Sequence, residues 1–144
     1  MARSISALLA DSMNDKSDIQ DAASDLTACR GIDKAVRTFT TAAASRGRLV
    51  RQIGRLDTGK LPGSARVVAQ LSEAWTASKK ADLAFAAWGR SMHKTKKSCH
   101  SDHGAQRRAV DQSVKSHAPK RAAARAWNPI ATRYGLPTVA WKQL

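Results

Sequence analysis

His93, Cys99, His100, Asp102 and His103 form the densest group of ligand-type side chains in the sequence. Imidazoles beside a thiolate make a zinc-type donor set, and His100 and His103 are near enough in sequence to share one ion. The spacing contains no paired Cys-x-x-Cys, and the surrounding residues are charged and polar without apolar period. Residues 93–104 are therefore read as a solvated loop, with no metal and no cofactor expected. Asp82 is the other conspicuous group, because it falls on an otherwise apolar helical stripe. A carboxylate there needs a cation or hydrogen-bond donors. The pattern places Arg46, Arg121 and Arg125 near inner faces, and the expectation is a buried Asp82–Arg46 ion pair that fixes helix register. Ser78, one turn before Asp82, is an available donor to it. No nucleophile or second carboxylate accompanies Asp82, and the Ser, His and Asp residues fall at no triad or nucleophile-elbow spacing. Leu56-Asp57-Thr58-Gly59-Lys60 lacks the first glycine and the preceding strand of a phosphate loop. No catalytic residue is assigned, and the chain is read as a non-enzyme.

The charge is large and uneven. The 144 residues carry 25 Lys and Arg against 11 Asp and Glu, a net +14. Residues 1–33 hold three basic residues and six acids; the other 22 basic residues and five acids follow. A field of that sign attracts polyanions. Arg48, Arg51 and Arg55 share an outer helix face. Lys79 and Lys80 follow, then Lys94, Lys96 and Lys97, then Arg107, Arg108, Lys120, Arg121 and Arg125. Contacts through such groups would be to phosphates or carboxylates and salt-dependent. No helix-turn-helix, zinc finger or RNA-binding signature is present. The aromatics Trp75, Phe85 and Trp88 point by spacing to the core, which argues against stacking on single strands.

The elements that must position these residues are helices. Val68, Leu71, Trp75, Ser78, Asp82, Phe85, Gly89 and Met92 keep to one stripe of a helix, and Val67, Ala74, Ala81 and Trp88 widen it. A first helix is expected from about Ser4 to Arg30, with Ile5, Leu8, Ser12, Asp15, Ile19, Ala22, Leu26 and Cys29 on its stripe. Its polar middle, Ser12 to Asp18, is a place to break, and Gly31 suits the left-handed position after it. A second is expected from Asp33, as N-cap, to Leu56. Turn chemistry at residues 57–63 leads to Ser64 as the cap of the third. A fourth starts at Ser101 or Asp102, with Val110, Val114, His117 and Ala118 inward, and is kinked at Pro119 and Pro129. Gly135 ends it, and Trp141 folds back as an anchor. No strand is expected. The reading is one all-α domain over 1–144, an antiparallel up-down four-helix bundle with a kinked last helix. Residues 1–13 are expected to be loosely attached and 136–144 to form a tail.

In such a bundle the first and third helices run alike, so Cys29 and Cys99 reach the same end. A Cys29–Cys99 disulfide is expected, and with it an oxidising compartment. Cys29-Arg30-Gly31, the run Leu71 to Trp88, and Trp127-Asn128-Pro129-Ile130-Ala131-Thr132-Arg133-Tyr134-Gly135-Leu136-Pro137 resemble an uncharacterised family of helical domains in actinobacterial envelope proteins. The resemblance covers most of residues 26–140. It implies an extracytoplasmic domain, typically behind a membrane anchor; it agrees with the disulfide and supplies no catalytic residue.

No segment approaches the ~20 apolar residues that span a bilayer, and the start lacks the apolar run of a signal peptide. The localisation expected is therefore extracytoplasmic if the cysteines are joined and cytoplasmic if they are not. The functional expectation is a binding module with a basic surface for an anionic polymer, a lipid headgroup or an acidic protein. The alternative is a cytoplasmic nucleic-acid-binding protein acting through Arg48, Arg51, Arg55 and the Lys94–Lys97 run.

Overall fold

Helix α4 (Ser64–Ser91) is the element the others pack on. Its buried residues include Val67, Leu71, Ala74, Trp75, Ser78, Ala81, Asp82, Trp88 and Gly89, the stripe that the spacing marks. The computed structural model describes residues 1–14 and 16–144. Asp15, which the spacing places on the inner stripe of the first helix, lies outside the described residues. The protein is all-α. Helices α1 (Ala2–Asn14), α2 (Lys16–Thr27) and α3 (Ile32–Ile53) precede α4; α5 (His103–Lys115) and α6 (His117–Arg133) follow it. α4 packs against α3, α5 and α6, while α3 also covers α1 and α2.

The apolar residues gather into two cores. One joins Ile5 and Leu9 of α1, Leu49 and Ile53 of α3, Val67, Leu71 and Trp75 of α4, and Ala123, Trp127 and Ile130 of α6. The other joins Ala22 and Leu26 of α2, Ala35 and Phe39 of α3, Ala86, Trp88 and Met92, and Ala105 and Ala109 of α5. The chain thus passes from the first core to the second through α1 and α2, back along α3, out again along α4 and back through α5 and α6. Residues 1–13 are not loosely attached: Ile5 is 0% and Leu9 1% exposed in the first core.

Close approach sets the second core. A Cβ built on Gly89 would lie 2.6 Å from Val36 Cγ2 and 3.2 Å from Leu26 Cδ2, so α4 admits both neighbours only because this residue has no side chain. Phe39 and Phe85 stack beside it with ring centroids 4.9 Å apart.

Several boundaries differ from the sequence reading. Gly31 (φ 49°), not Asp33, caps α3, and Asp33 sits in the first turn, where its charge still suits the helix dipole. Gly63 (φ 82°), not Ser64, caps α4; the Ser64 hydroxyl instead donates to Thr58 O at 2.8 Å. Asp102 does cap α5, accepting from the Ala105 amide at 3.0 Å, and that bond holds its carboxyl below the usual range. Val110 and Val114 are exposed, and Ala105 and Ala109 are buried in their place. Alanines let α5 lie close against α4, and the buried face is turned accordingly. The break in the last helical run falls at Ser116, three residues before Pro119, which takes a first-turn position in α6 where its missing N–H is no loss.

Residues 93–104 contain a ladder that the sequence reading missed. His93–Lys94 pairs antiparallel with Cys99–His100, in the register His93 to His100 and Lys94 to Cys99. Thr95 N donates to Ser98 O at 2.8 Å across the turn. Two-residue strands exposed on both faces leave no period to read. The C-terminal segment does fold back. Trp127 Nε1 donates to Pro137 O at 3.0 Å, and Asn128 exchanges hydrogen bonds with Val139 at 2.9 and 3.0 Å. Leu144, fully buried, anchors the end in the core, while half-buried Trp141 packs beneath the Arg121 guanidinium, 4.5 Å from its ring centroid.

The Cys29–Cys99 disulfide is formed, with Cα atoms 6.4 Å apart across 70 residues of chain. It ties the end of α2 to the ladder. Cys29 itself has φ 54°, the one non-glycine residue with positive φ among those described. Arg30 N donates to Asp25 O and Cys29 N to Leu26 O, a Schellman ending with Cys29 in the left-handed position. α6 ends the same way: Leu136 N to Ala131 O, Gly135 N to Thr132 O, and Gly135 at φ 63°. The left-handed backbone costs a non-glycine residue about 1 kcal/mol, so a cysteine there is kept for its sulfur. The measurement is the urea midpoint under reducing and oxidising conditions. With the disulfide reduced, Cys29→Gly should be more stable than the parent by about 1 kcal/mol. Under oxidising conditions it should be less stable by about 3 kcal/mol, the loop-closure contribution of the cross-link, about 4 kcal/mol, less that backbone gain.

Candidate functional site

Between the two cores lies a polar layer to which every long helical run contributes. Ser12 comes from α1, Lys16 from α2, Arg46 from α3, Ser78 and Asp82 from α4, Ser113 from α5, and Lys120 from α6, with Ser116 at the α5–α6 break. Arg46 is 2% exposed, Ser12 1%, Ser78 4%, Asp82 6% and Ser116 2%. Local sequence explains the placement. Each polar residue takes the next step of its helix's inner stripe, so the helix cannot turn it to water without exposing its apolar neighbours.

Arg46 organises the layer. One of its terminal nitrogens donates to the Ser12 carbonyl at 2.8 Å and also to the Ser12 hydroxyl. Trp75 Nε1 donates to the same hydroxyl at 2.9 Å. Arg46 thus reaches from α3 to α1, and Trp75 from α4 meets it at the same serine.

A pocket of about 180 Å³ opens beside this layer, lined on its polar side by Lys16, Arg46, Ser78, Asp82, Ser113, Ser116 and Lys120. Its apolar wall includes Phe39 and Phe85. Arg46 and Asp82, the sequence-derived pair, are both buried and line the same pocket. Arg121 and Arg125, the other cations considered for Asp82, are exposed; Arg121 is held over Trp141 instead. The α6 cation turned inward is Lys120, read from sequence as surface charge but only 9% exposed. It stands four residues after Ser116 and three before Ala123, a spacing that marks it as inward once the helix face is known. Ser12 carried a comparable signal, a polar residue on an apolar stripe.

The electrostatics of the layer follow from burial. Desolvation pushes the Lys120 amine down to about 7; Lys16 and Arg46 push the same way, and Asp82 opposes them. Lys16 is also lowered, by burial first and by Arg46 second. Both amines line the same pocket, and the Lys120 amine, the more deeply buried, is the more strongly lowered. His117, on the outer side of α6, is lowered by burial and by Lys120, Arg121, Lys16 and Lys142.

The other candidate residues lie elsewhere. Arg48 and Arg51 are exposed on the last half of α3 and Arg55 in the turn after it, and Lys94, Lys96 and Lys97 are exposed on the ladder and its turn. They sit near opposite ends of α4, whose 28 residues span about 40 Å, so they do not form one patch. Cys99 is in the disulfide and is no ligand. Among the described residues no three His, Cys, Asp or Glu side chains are grouped to hold a metal ion, and no helix is long and apolar enough to cross a membrane. The chain matches no family model, no curated protein and no solved structure in the comparisons made.

Two measurements check the layer. Ser12→Ala removes an acceptor shared by Arg46 and the Trp75 indole, and should lower stability by about 2 kcal/mol in chemical denaturation. Lys120 binds its proton less readily folded than unfolded, where its ordinary value is 10.5. Between about pH 7 and pH 10 the unfolded chain therefore holds the extra proton, and stability should rise with pH by up to about 1.4 kcal/mol per unit. Below about pH 7 both states are protonated and this slope vanishes. Lys120→Met should abolish most of the rise in pH-dependent urea unfolding.

Proposed function

We propose that this protein is a non-enzymatic interaction module, the extracytoplasmic part of an envelope protein, whose basic surface holds an anionic polymer. The observation that carries this reading is the distribution of exposed cations. Arg48, Arg51 and Arg55 at one end, Lys79 and Lys80 along α4, and Lys94, Lys96 and Lys97 at the other end are all exposed. Charges spread over about 40 Å suit a long partner that meets them in succession. A single headgroup would reach only one of the sets. Arg46 of α3 and Asp82 of α4, buried against the same pocket, belong to this reading as structural elements of the polar layer.

The Cys29–Cys99 disulfide supports the oxidising side of the proposal over a cytoplasmic nucleic-acid binder, because cytosolic thiols are kept reduced. It also holds the lysine-bearing ladder to the end of α2. The resemblance of Cys29–Gly31, Leu71–Trp88 and Trp127–Pro137 to helical envelope domains supports the same location. In an up-down bundle these faces stay in fixed relation, which favours a rigid basic platform over a flexible arm.

The test is retention of the oxidised protein on immobilised polyphosphate across a salt gradient, with duplex DNA and a neutral polysaccharide as comparators. Affinity for polyphosphate should fall at least about tenfold between 50 and 200 mM salt. Lys94→Glu/Lys96→Glu/Lys97→Glu should weaken it about tenfold more and flatten the salt slope. Salt-independent retention, or equal retention on the neutral polymer, rejects polyanion binding. Two free thiols in protein isolated without reductant reject the extracytoplasmic half.

A further inference from the structure

The pocket beside the polar layer is built differently from the basic surface. It is reached past exposed Gln20 and half-buried Lys16, and its far side is formed by side chains that are almost wholly buried. Two features there are unexplained by packing. Ser78, 4% exposed and lining the pocket, has no hydrogen-bond partner for its hydroxyl among the described residues. A buried hydroxyl without a partner costs on the order of 1–3 kcal/mol. A second ammonium-type side chain, Lys120, only 9% exposed, lines the same pocket as Lys16. Opposite them stands the Phe39–Phe85 stack.

We propose that this pocket binds a small organic acid, its carboxylate accepting hydrogen bonds from the Lys16 and Lys120 amines and the Ser78 hydroxyl, its apolar body lying against Phe39 and Phe85. A space of about 180 Å³ admits a ring or short chain bearing one acidic group. Arg46 does not need to touch the ligand. Its terminal nitrogen is engaged by Ser12. Charge-assisted contacts from two amines are the strong ones, and the ligand carboxylate relieves the repulsion between them.

This binding takes up a proton. Burial holds the Lys120 amine down to about 7; beside a carboxylate both amines are ammonium ions. The groups facing Lys120 are Lys16 from α2, Arg46 from α3, Asp82 from α4 and His117 on its own helix. Arg46 keeps its charge throughout. Affinity should therefore be nearly flat below about pH 7 and fall above it.

Benzoate is the probe, followed by NMR titration and calorimetry of the full chain. Benzamide, benzylamine and inorganic phosphate serve as comparators. Benzoate should bind at least about tenfold tighter than benzamide, and about tenfold tighter at pH 6 than at pH 8.5, with proton uptake seen as buffer-dependent heat. Lys120→Met should fold, since it removes a buried amine, and should lose about tenfold in benzoate affinity. Ser78→Ala, which leaves both amines in place, should lose about threefold. Equal binding of benzoate and benzamide would falsify the assignment. So would no binding of benzoate at about 10 mM, or an unchanged affinity in Lys120→Met. Phosphate binding without benzoate binding overturns the organic-acid assignment in favour of a bare oxyanion site.

Discussion

An arginine guanidinium brings five N–H donors wherever it is buried, and each has to be accommodated. In this protein the buried guanidinium is Arg46, and its contact with Ser12 joins the end of α1 to the middle of α3. The Trp75 indole, from α4, reaches the same hydroxyl. One serine thus ties three helices at a single height. Apolar contacts are tolerant of a slide along the helix axis, because one alanine or leucine replaces another. A guanidinium paired with a particular carbonyl is not, since a slide by one turn leaves a charge buried without partners at a cost of roughly 3–5 kcal/mol. The height of this layer therefore sets how the two apolar cores line up.

The break between α5 and α6 falls at that height, at Ser116, which is part of the layer. A helix end exposes carbonyls that need donors, and here the Ser116 hydroxyl donates to the Ser113 carbonyl at 2.6 Å. Away from the layer, close approach does the work: Gly89 admits Val36 and Leu26, and alanines do the same on α5. The disulfide acts on a separate feature, the exposed ladder, which has almost no core of its own and is held to the end of α2 by Cys99.

How far the sequence disclosed this structure depended on whether a residue's role was periodic. The α4 stripe was fully legible, because residues 67–92 repeat at helical steps and the polar members, Ser78 and Asp82, stand out against it. The cysteine pairing was legible because helix order alone brings Cys29 and Cys99 to one end. The ends of α2 and α3 were less so. Gly31 looked like the left-handed terminator, yet Cys29 takes that conformation first, and a cross-linked cysteine in a glycine's place leaves no compositional trace. The face of α5 was misjudged because valines outrank alanines in any hydropathy reading, while helices packed this closely bury Ala105 and Ala109 and leave Val110 and Val114 outside. Lys120 was hidden by its neighbours Arg121 and Arg125, which made the whole segment look like surface.

The basic residues of this chain are consequently of two physical kinds, although the sequence writes them alike. The exposed arginines and lysines keep their hydration, cost the fold little, and act over a Debye length on whatever anion approaches. Arg46, Lys120 and, in part, Lys16 have given up water, and each must recover the loss from a specific neighbour. For Arg46 the neighbours include Ser12. The two lysines instead hold their protons less tightly, burial being the first cause. A buried site that is satisfied by giving up a charge is one that a charged ligand can improve, whereas a solvated surface gains only what screening leaves. This difference is why the small pocket, and not the larger basic surface, is where chemical selectivity is to be sought in this molecule.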